Sequence, residues 1–162
     1  MSTLKVGTIQ DHANSNTAMS IDSSGRVTTP ARPSFKASPT SSGNAGATAD
    51  IIFGDVTTAT LGCHNIGGHY STSTGKFTAP VTGVYVFHFC TGQYSSNVCI
   101  IKFYLNTNPC GTMIQNTGDS DDTVEASQNL YLTAGDYVHM KITGGYYGYG
   151  ADSSFFSGYL LG

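Results

Sequence analysis

Charge is what this sequence has least of. Asp, Glu, Lys and Arg make up 10% of its 162 residues, against roughly 25% in ordinary soluble domains. The seven Lys and Arg are scattered, and ten Asp and Glu leave a net charge of −3. Holding phosphates takes clustered cations, so nucleic acid is not an expected partner. Apolar stretches long enough for a membrane span are missing, as is the basic-then-apolar start of a secretory signal, so synthesis in a cytoplasm and no membrane contact are expected. Tryptophan is absent, and no Asn-x-Ser/Thr acceptor for a glycan occurs. The four cysteines, Cys63, Cys90, Cys99 and Cys110, match no zinc or redox spacing, and free thiols are expected. The sequence holds no nucleophile elbow, no HExxH, no phosphate-cradling glycine loop and no Gly-x-y repeat. No enzymatic activity is expected.

What is plentiful favours turns and strands. Twenty glycines, ten tyrosines and eight phenylalanines lie among Ser, Thr and Asn. The length suits one domain plus an appendage. The division is expected at residues 1–34 and 35–162. In the first segment Leu4, Val6, Ile9, Met19, Ile21 and Val27 recur in short runs separated by polar turns, with Ser23, Ser24 and Gly25 reversing the chain. These read as small strands with too few apolar side chains for a core of their own. Such an arm is expected to dock on a partner.

From residue 51 onward the pattern is all strand. The runs are 51–53, 68–70, 76–79, 83–93, 98–106, 112–115, 124–132, 136–143 and 154–161. A two-sheet sandwich or jelly roll follows. GVYVFHFC, residues 83–90, is the most informative run. Tyr85, Phe87 and Phe89 alternate with Val84, Val86 and His88, so both faces of the strand are apolar apart from one histidine. A sandwich core covers one face; an interface between copies or a crossing loop of the same chain would cover the other.

The segment NIGGHYSTSTGKFTAPVTGVYVFHF, residues 65–89, resembles the signature of the C1q head domain, of the complement C1q and tumour-necrosis-factor type. Asn65, Tyr70, Phe77, Gly83, Tyr85, Phe87 and Phe89 fall at its spacing. NLYLTAGDYVHMKI and SSFFSGYLLG follow in the order of that family's closing strands. The leading aromatic of the pattern falls at Ala59, so the loop before Asn65 is expected to be re-routed. The resemblance implies a ten-stranded jelly roll assembled as a homotrimer. It also implies Tyr70, Phe77, Val84, Tyr85, Val86, Phe87, Phe89, Phe155 and Tyr159 as core or trimer interface, with Phe156 also ending the chain inside the sheet.

The arm, STLKVGTIQ followed by AMSIDSSGRVTTPARPSF, is similar to N-terminal segments of structural proteins of tailed phages of the cyanophage type. That similarity implies a virion protein: a capsid decoration or cement trimer docked through its arm on the major capsid or a tail protein. A tail-fibre or adhesin tip binding a host surface glycan or protein is the alternative, and a secreted C1q-like recognition module the third.

Three clusters bear on ligands. Cys63, His64 and His69 lie close in sequence but not at zinc spacings, and His88 and Cys90 sit on a strand. Asp119, Asp121, Asp122 and Glu125 offer oxygen ligands that suit calcium, against a plain solvated loop; their spacing is not that of a calcium-binding hand, and no cofactor is expected. Tyr146, Tyr147 and Tyr149, in the glycine-rich stretch 144–150, suit either a recognition loop or packing against a neighbouring copy.

Overall fold

The computed structural model describes residues 4–46, 49–93, 99–116 and 123–162. Internal contacts divide the chain into Met1–Arg32 and Pro33–Gly162. The second unit begins two residues before Phe35 because the Pro33 carbonyl already accepts the Leu160 N–H at 3.0 Å and Ser34 pairs with Tyr159.

In the first unit, β1 (Thr8–Gln10), β2 (Thr17–Ile21) and β3 (Val27–Thr28) form an antiparallel sheet in that order. Aspartates close its two turns. Asp11 accepts the amides of Ala13, Asn14 and Asn16 at 3.0, 2.7 and 2.9 Å, and Asp22 accepts those of Ser24 and Arg26 and the Arg26 Nε at 2.7 Å. Local Asx bonding of this kind fixes a turn without a core, and Gly25 supplies the positive φ of +80° that the second turn needs. Register places Ile9 opposite Met19 and Ile21 opposite Val27. These four therefore share one face, and Thr8, Ser20 and Thr28 the other.

The second unit holds β4 (Ser34–Ala37), β5 (Gly43–Gly46), a 3-10 turn (Ala59–Leu61), β6 (His64–Ile66), β7 (Tyr70–Ser71) and β8 (Lys76–Thr78). After these come β9 (Gly83–Gln93), β10 (Cys99–Leu105), β11 (Asn108–Asn116), β12 (Thr123–Leu132), β13 (Tyr137–Gly144), β14 (Tyr146–Tyr149) and β15 (Phe155–Leu160). One sheet runs β11-β10-β13-β8-β7; in the other, linked as β5-β14-β9-β15-β4-β6, β14 and β15 follow one another along one edge of β9 and β12 takes its opposite edge. All their pairings are antiparallel.

Among the described residues the expected ten strands become twelve, since β5, β6 and β14 are added while segment 51–53 forms no strand; β5 and β14 pair with each other. β5 and β14 lie in stretches that read as loops, where backbone bonding rather than apolar side chains makes the ladder. Segment 51–53 joins no ladder, yet it keeps a strand's alternation: Ile51 and Phe53 are buried and Ile52 is exposed. Ala59, where an aromatic was missing, sits exposed on the 3-10 turn, so no core position is vacated.

Aromatic side chains from both sheets fill the space between them. The Phe35 ring stacks on Tyr70 at 4.7 Å and on Phe77 at 5.0 Å, and meets Phe156 edge-on at 5.0 Å. Offset and edge-on pairs each add about 0.5–1.5 kcal/mol beyond the area they bury. Gly158 makes this approach possible: a Cβ there would lie 2.5 Å from Phe87 Cδ1 and 3.0 Å from Phe35 Cε1. Gly158→Ala is expected to lower stability by about 2–3 kcal/mol through overpacking, measured by denaturant unfolding with an unchanged m-value.

Candidate functional site

β9 has two largely apolar faces, and only one is covered by the second sheet. Tyr85, Phe87 and Phe89 are at most 1% exposed and belong to the core, as do Tyr70 and Phe77. Pairing in register defines the outward face. Val84 lies beside Tyr131; Val86 lies between Asn129 and Tyr159; His88 lies between Ser127 and Ser157; Cys90 lies between Glu125 and Phe155. At one end this surface is apolar, with Tyr131 68%, Tyr159 39% and nearby Leu161 52% exposed. At the other end His88, Cys90, Glu125, Ser127, Phe155 and Ser157 line a shallow concavity of about 460 Å³.

Chemistry at the polar end is muted. His88 Nδ1 and the Ser127 hydroxyl are 2.7 Å apart, and Lys36 lies 5.0 Å from the Phe155 ring centroid while donating to the Leu61 carbonyl. Burial, and then the Glu125 charge, push the Cys90 thiol up. It stays protonated and makes a poor nucleophile.

The sequence placed Phe155, Phe156 and Tyr159 together inside the sheet, but their parity separates them. Phe156 is in the core, whereas Phe155 and Tyr159 point outward. The tyrosine-rich stretch is also different from the loop expected. It forms β14, and the Tyr147 side chain is buried in the core cluster; the side chains of Tyr146 and Tyr149 lie outside the description.

Cys63, Cys90 and Cys110 are free thiols. Cys63 faces Ser38, His64 turns to the Gly62 carbonyl and His69 packs edge-on against Phe77. No metal-binding cluster occurs among the described residues. Asp119, Asp121 and Asp122 lie outside the described residues, and Glu125 belongs to the outward face of β12. Among the described residues no helix is long and apolar enough to cross a membrane.

In the arm, Ile9, Met19, Ile21 and Val27 are 37–57% exposed and Leu4 is 87% exposed. With Val6 they line one small apolar concavity, Leu4 excepted. None of the described residues of this unit is buried.

Sequence reasoning did not single out one grouping. Lys76, Lys102 and Lys141 come together with Tyr104, Tyr137 and His139 on the outward side of the five-stranded sheet. Only strand pairing could reveal it.

Two antiparallel sheets closing on an aromatic core define the class: an all-β head of the jelly-roll type. The chain belongs to the C1q domain family, whose model matches residues 34–161. It is 33% identical over 99 residues to a complement C1q subcomponent of Mus musculus, covering 60% of this chain and 39% of that protein. Complement C1q and tumor necrosis factor-related protein 9B of Homo sapiens is 36% identical over 107 residues, covering 60% and 31%. The matched region thus spans about two fifths or less of these relatives' lengths. Among solved structures, the globular domain of zebrafish complement 1qA superposes with a TM-score of 0.61 at 20% identity, covering 80% of this chain and 98% of that one. Eiger TNF from S. frugiperda superposes with a TM-score of 0.62 at 16% identity, covering 81% and 92%. At these identities the structures establish the fold alone.

The signature residues have visible structural work. The Asn65 side chain donates to the Tyr70 carbonyl at 2.8 Å and accepts the Tyr70 N–H at 3.1 Å, clamping the turn between β6 and β7. Burial pushes the Tyr70 phenol up to about 12, and its hydroxyl donates to the Phe53 carbonyl at 3.0 Å.

His139, 5% exposed, is held below its ordinary value of 6.5 chiefly by burial. Asp50, 3.2 Å from its Nδ1, pulls the other way and loses. The unfolded chain therefore binds this proton more readily than the folded one, so stability is lost as pH falls through about 6.5. A second loss follows below 3.8, where Asp55, held to about 2 by hydrogen bonds from Thr58 and Thr57, and Asp136, held down by Asn106 and Thr133, take up protons. Thermal melts across this range are expected to show both steps, and His139→Gln to flatten the first alone.

Proposed function

We propose that this chain acts as a non-enzymatic homotrimeric head on a virion surface, docked through its N-terminal arm. The observation that carries the trimer is the apolar surface beside β9, where Tyr131, Tyr159 and Leu161 stay 68%, 39% and 52% exposed around a half-buried Val84 and a buried Val86. Domains of the C1q and tumour-necrosis-factor type commonly form homotrimers, and burying this face against two copies supplies the missing cover. Light scattering is expected to give three times the chain mass. Tyr159→Asp, at a position 39% exposed in the single chain, puts an unpaired charge into that interface at several kcal/mol and is expected to yield a folded monomer; a wild-type monomer at micromolar concentration overturns the assignment.

The arm supports the docking half. Its sheet has one hydroxyl face and one apolar face, and Ile9, Met19, Ile21 and Val27 remain exposed there. A sheet of three short strands gains independent stability when its apolar face is covered. The occupant in this reading is a virion structural protein, and the phage setting rests on the arm's sequence similarity. Deleting residues 1–32 is expected to leave a soluble trimer that no longer attaches to particles lacking the protein, measured by co-sedimentation. Retained attachment counts against docking through the arm.

A further inference from the structure

Beyond residue 32 the chain has four cations, Lys36, Lys76, Lys102 and Lys141. Three of them stand on one surface, the outward side of the five-stranded sheet. Register sets Lys102 of β10 directly opposite Lys141 of β13, and the next row but one aligns Tyr104 with His139. β8 enters on the other edge of β13 with Phe77 opposite Val138, which brings Lys76 level with His139. Lys76 Nζ is 4.5 Å from the Tyr137 ring centroid, and Lys141 Nζ is 5.7 Å from that of Tyr104. His139 lies between the two tyrosines, its ring 5.4 Å from Tyr104 and 5.8 Å from Tyr137.

This arrangement is unfavourable for folding. Like charges directly opposed on neighbouring strands destabilise a sheet. Among the described residues no carboxylate oxygen lies within 4.0 Å of any of the three ammonium groups. Asp50 lies opposite Lys141 across an isolated bridge on the other edge of β13, but its carboxylate is turned to His139 Nδ1, 3.2 Å away. A chain with a net charge of −3 has placed three cations here with no carboxylate in ion-pair contact among the described residues, and local conflicts of this kind are expected at functional sites.

We propose that this surface binds an acidic polysaccharide, with sugar carboxylates or sulfates seated at Lys102 and Lys141, Lys76 as the third contact, and Tyr104 and Tyr137 contributing phenol groups to sugar hydroxyls. Point-charge ammonium groups suit scattered acidic groups on a sugar chain, and tyrosine combines an apolar ring with a polar tip. Duplex nucleic acid fits less well, since its affinity grows from many phosphate contacts and three cations on a negatively charged chain supply few. A repeating polymer also rewards repetition of a weak site. The sheet lies across the core from the proposed trimer face, so three copies stay available to one polymer chain and add avidity. The site itself needs only the head; the avidity rests on the trimer reading.

The test uses the full chain, with immobilised polygalacturonate as the probe, neutral dextran as control, and polyglutamate and duplex DNA as competing anions. Wild type is expected to bind polygalacturonate and not dextran, more weakly as salt rises. Lys102→Gln with Lys141→Gln is expected to weaken binding at least about tenfold while the melting temperature stays level or rises, because the opposed charges are gone. Absence of binding by wild type, equal binding by the variant, or displacement by polyglutamate or DNA at the same concentration as by free polygalacturonate would overturn the assignment. Light scattering on the same samples separates the two readings. A trimer indifferent to the polymer sinks the site alone, and a monomer that binds it sinks the trimer alone.

Discussion

The head depends on the two-sided burial of β9. This strand is paired along both edges, to β12 on one and to β15 and β14 on the other. A strand with both edges occupied has no backbone left to offer, so its remaining contacts are made by its faces. One face carries Tyr85, Phe87 and Phe89 into the core. There Phe87 meets Phe35, Phe77 and Phe156, so rings from both sheets converge on it. The opposite face carries Val84 and Val86 outward, where a single chain gives them partial cover. Assembly, in the trimer reading, is thus continuous with the core: the strand that organises the inside also sets the outside surface.

Period-two alternation made that much legible from sequence, because GVYVFHFC shows its parity directly. The signature residues were legible for the same reason, since Asn65, Tyr70 and Phe77 act locally, through a clamped turn and ring contacts. Neighbouring aromatics were not legible. Phe155 and Phe156 are consecutive, and which one enters the core depends on register with β9; Gly158, two residues on, packs against Phe87 and fixes the parity. The stretch around Tyr147 carries no alternation at all. Its place in the sheet comes from pairing with the glycine-rich β5, and backbone pairing between two loop-like segments leaves no side-chain pattern to read.

The arm and the head solve the same problem by different means. The head buries rings between sheets, whereas the arm is held in shape by carboxylates: Asp11 and Asp22 accept nearby amides and lie below their ordinary values because of those bonds, chiefly from Asn14 and Arg26. Turns organised in this way need no core. They leave the apolar side chains of β1, β2 and β3 free to face a partner, which is the opposite outcome from Phe35 one strand later.

The two outward surfaces of the head are chemically unlike, and the difference follows from the scarcity of charge. The head has four cations beyond residue 32, and any lysine beside the Val86 surface would interrupt apolar packing. Lys36 is the cation on that side, and its ammonium is turned to the Leu61 carbonyl and the Phe155 ring. The other three stand together across the core, beside tyrosines and a buried histidine, where they repel one another. In the trimer and polysaccharide readings, segregation serves both sheets: one is left apolar enough to associate, and the other gathers positive charge that no described carboxylate contacts within 4.0 Å.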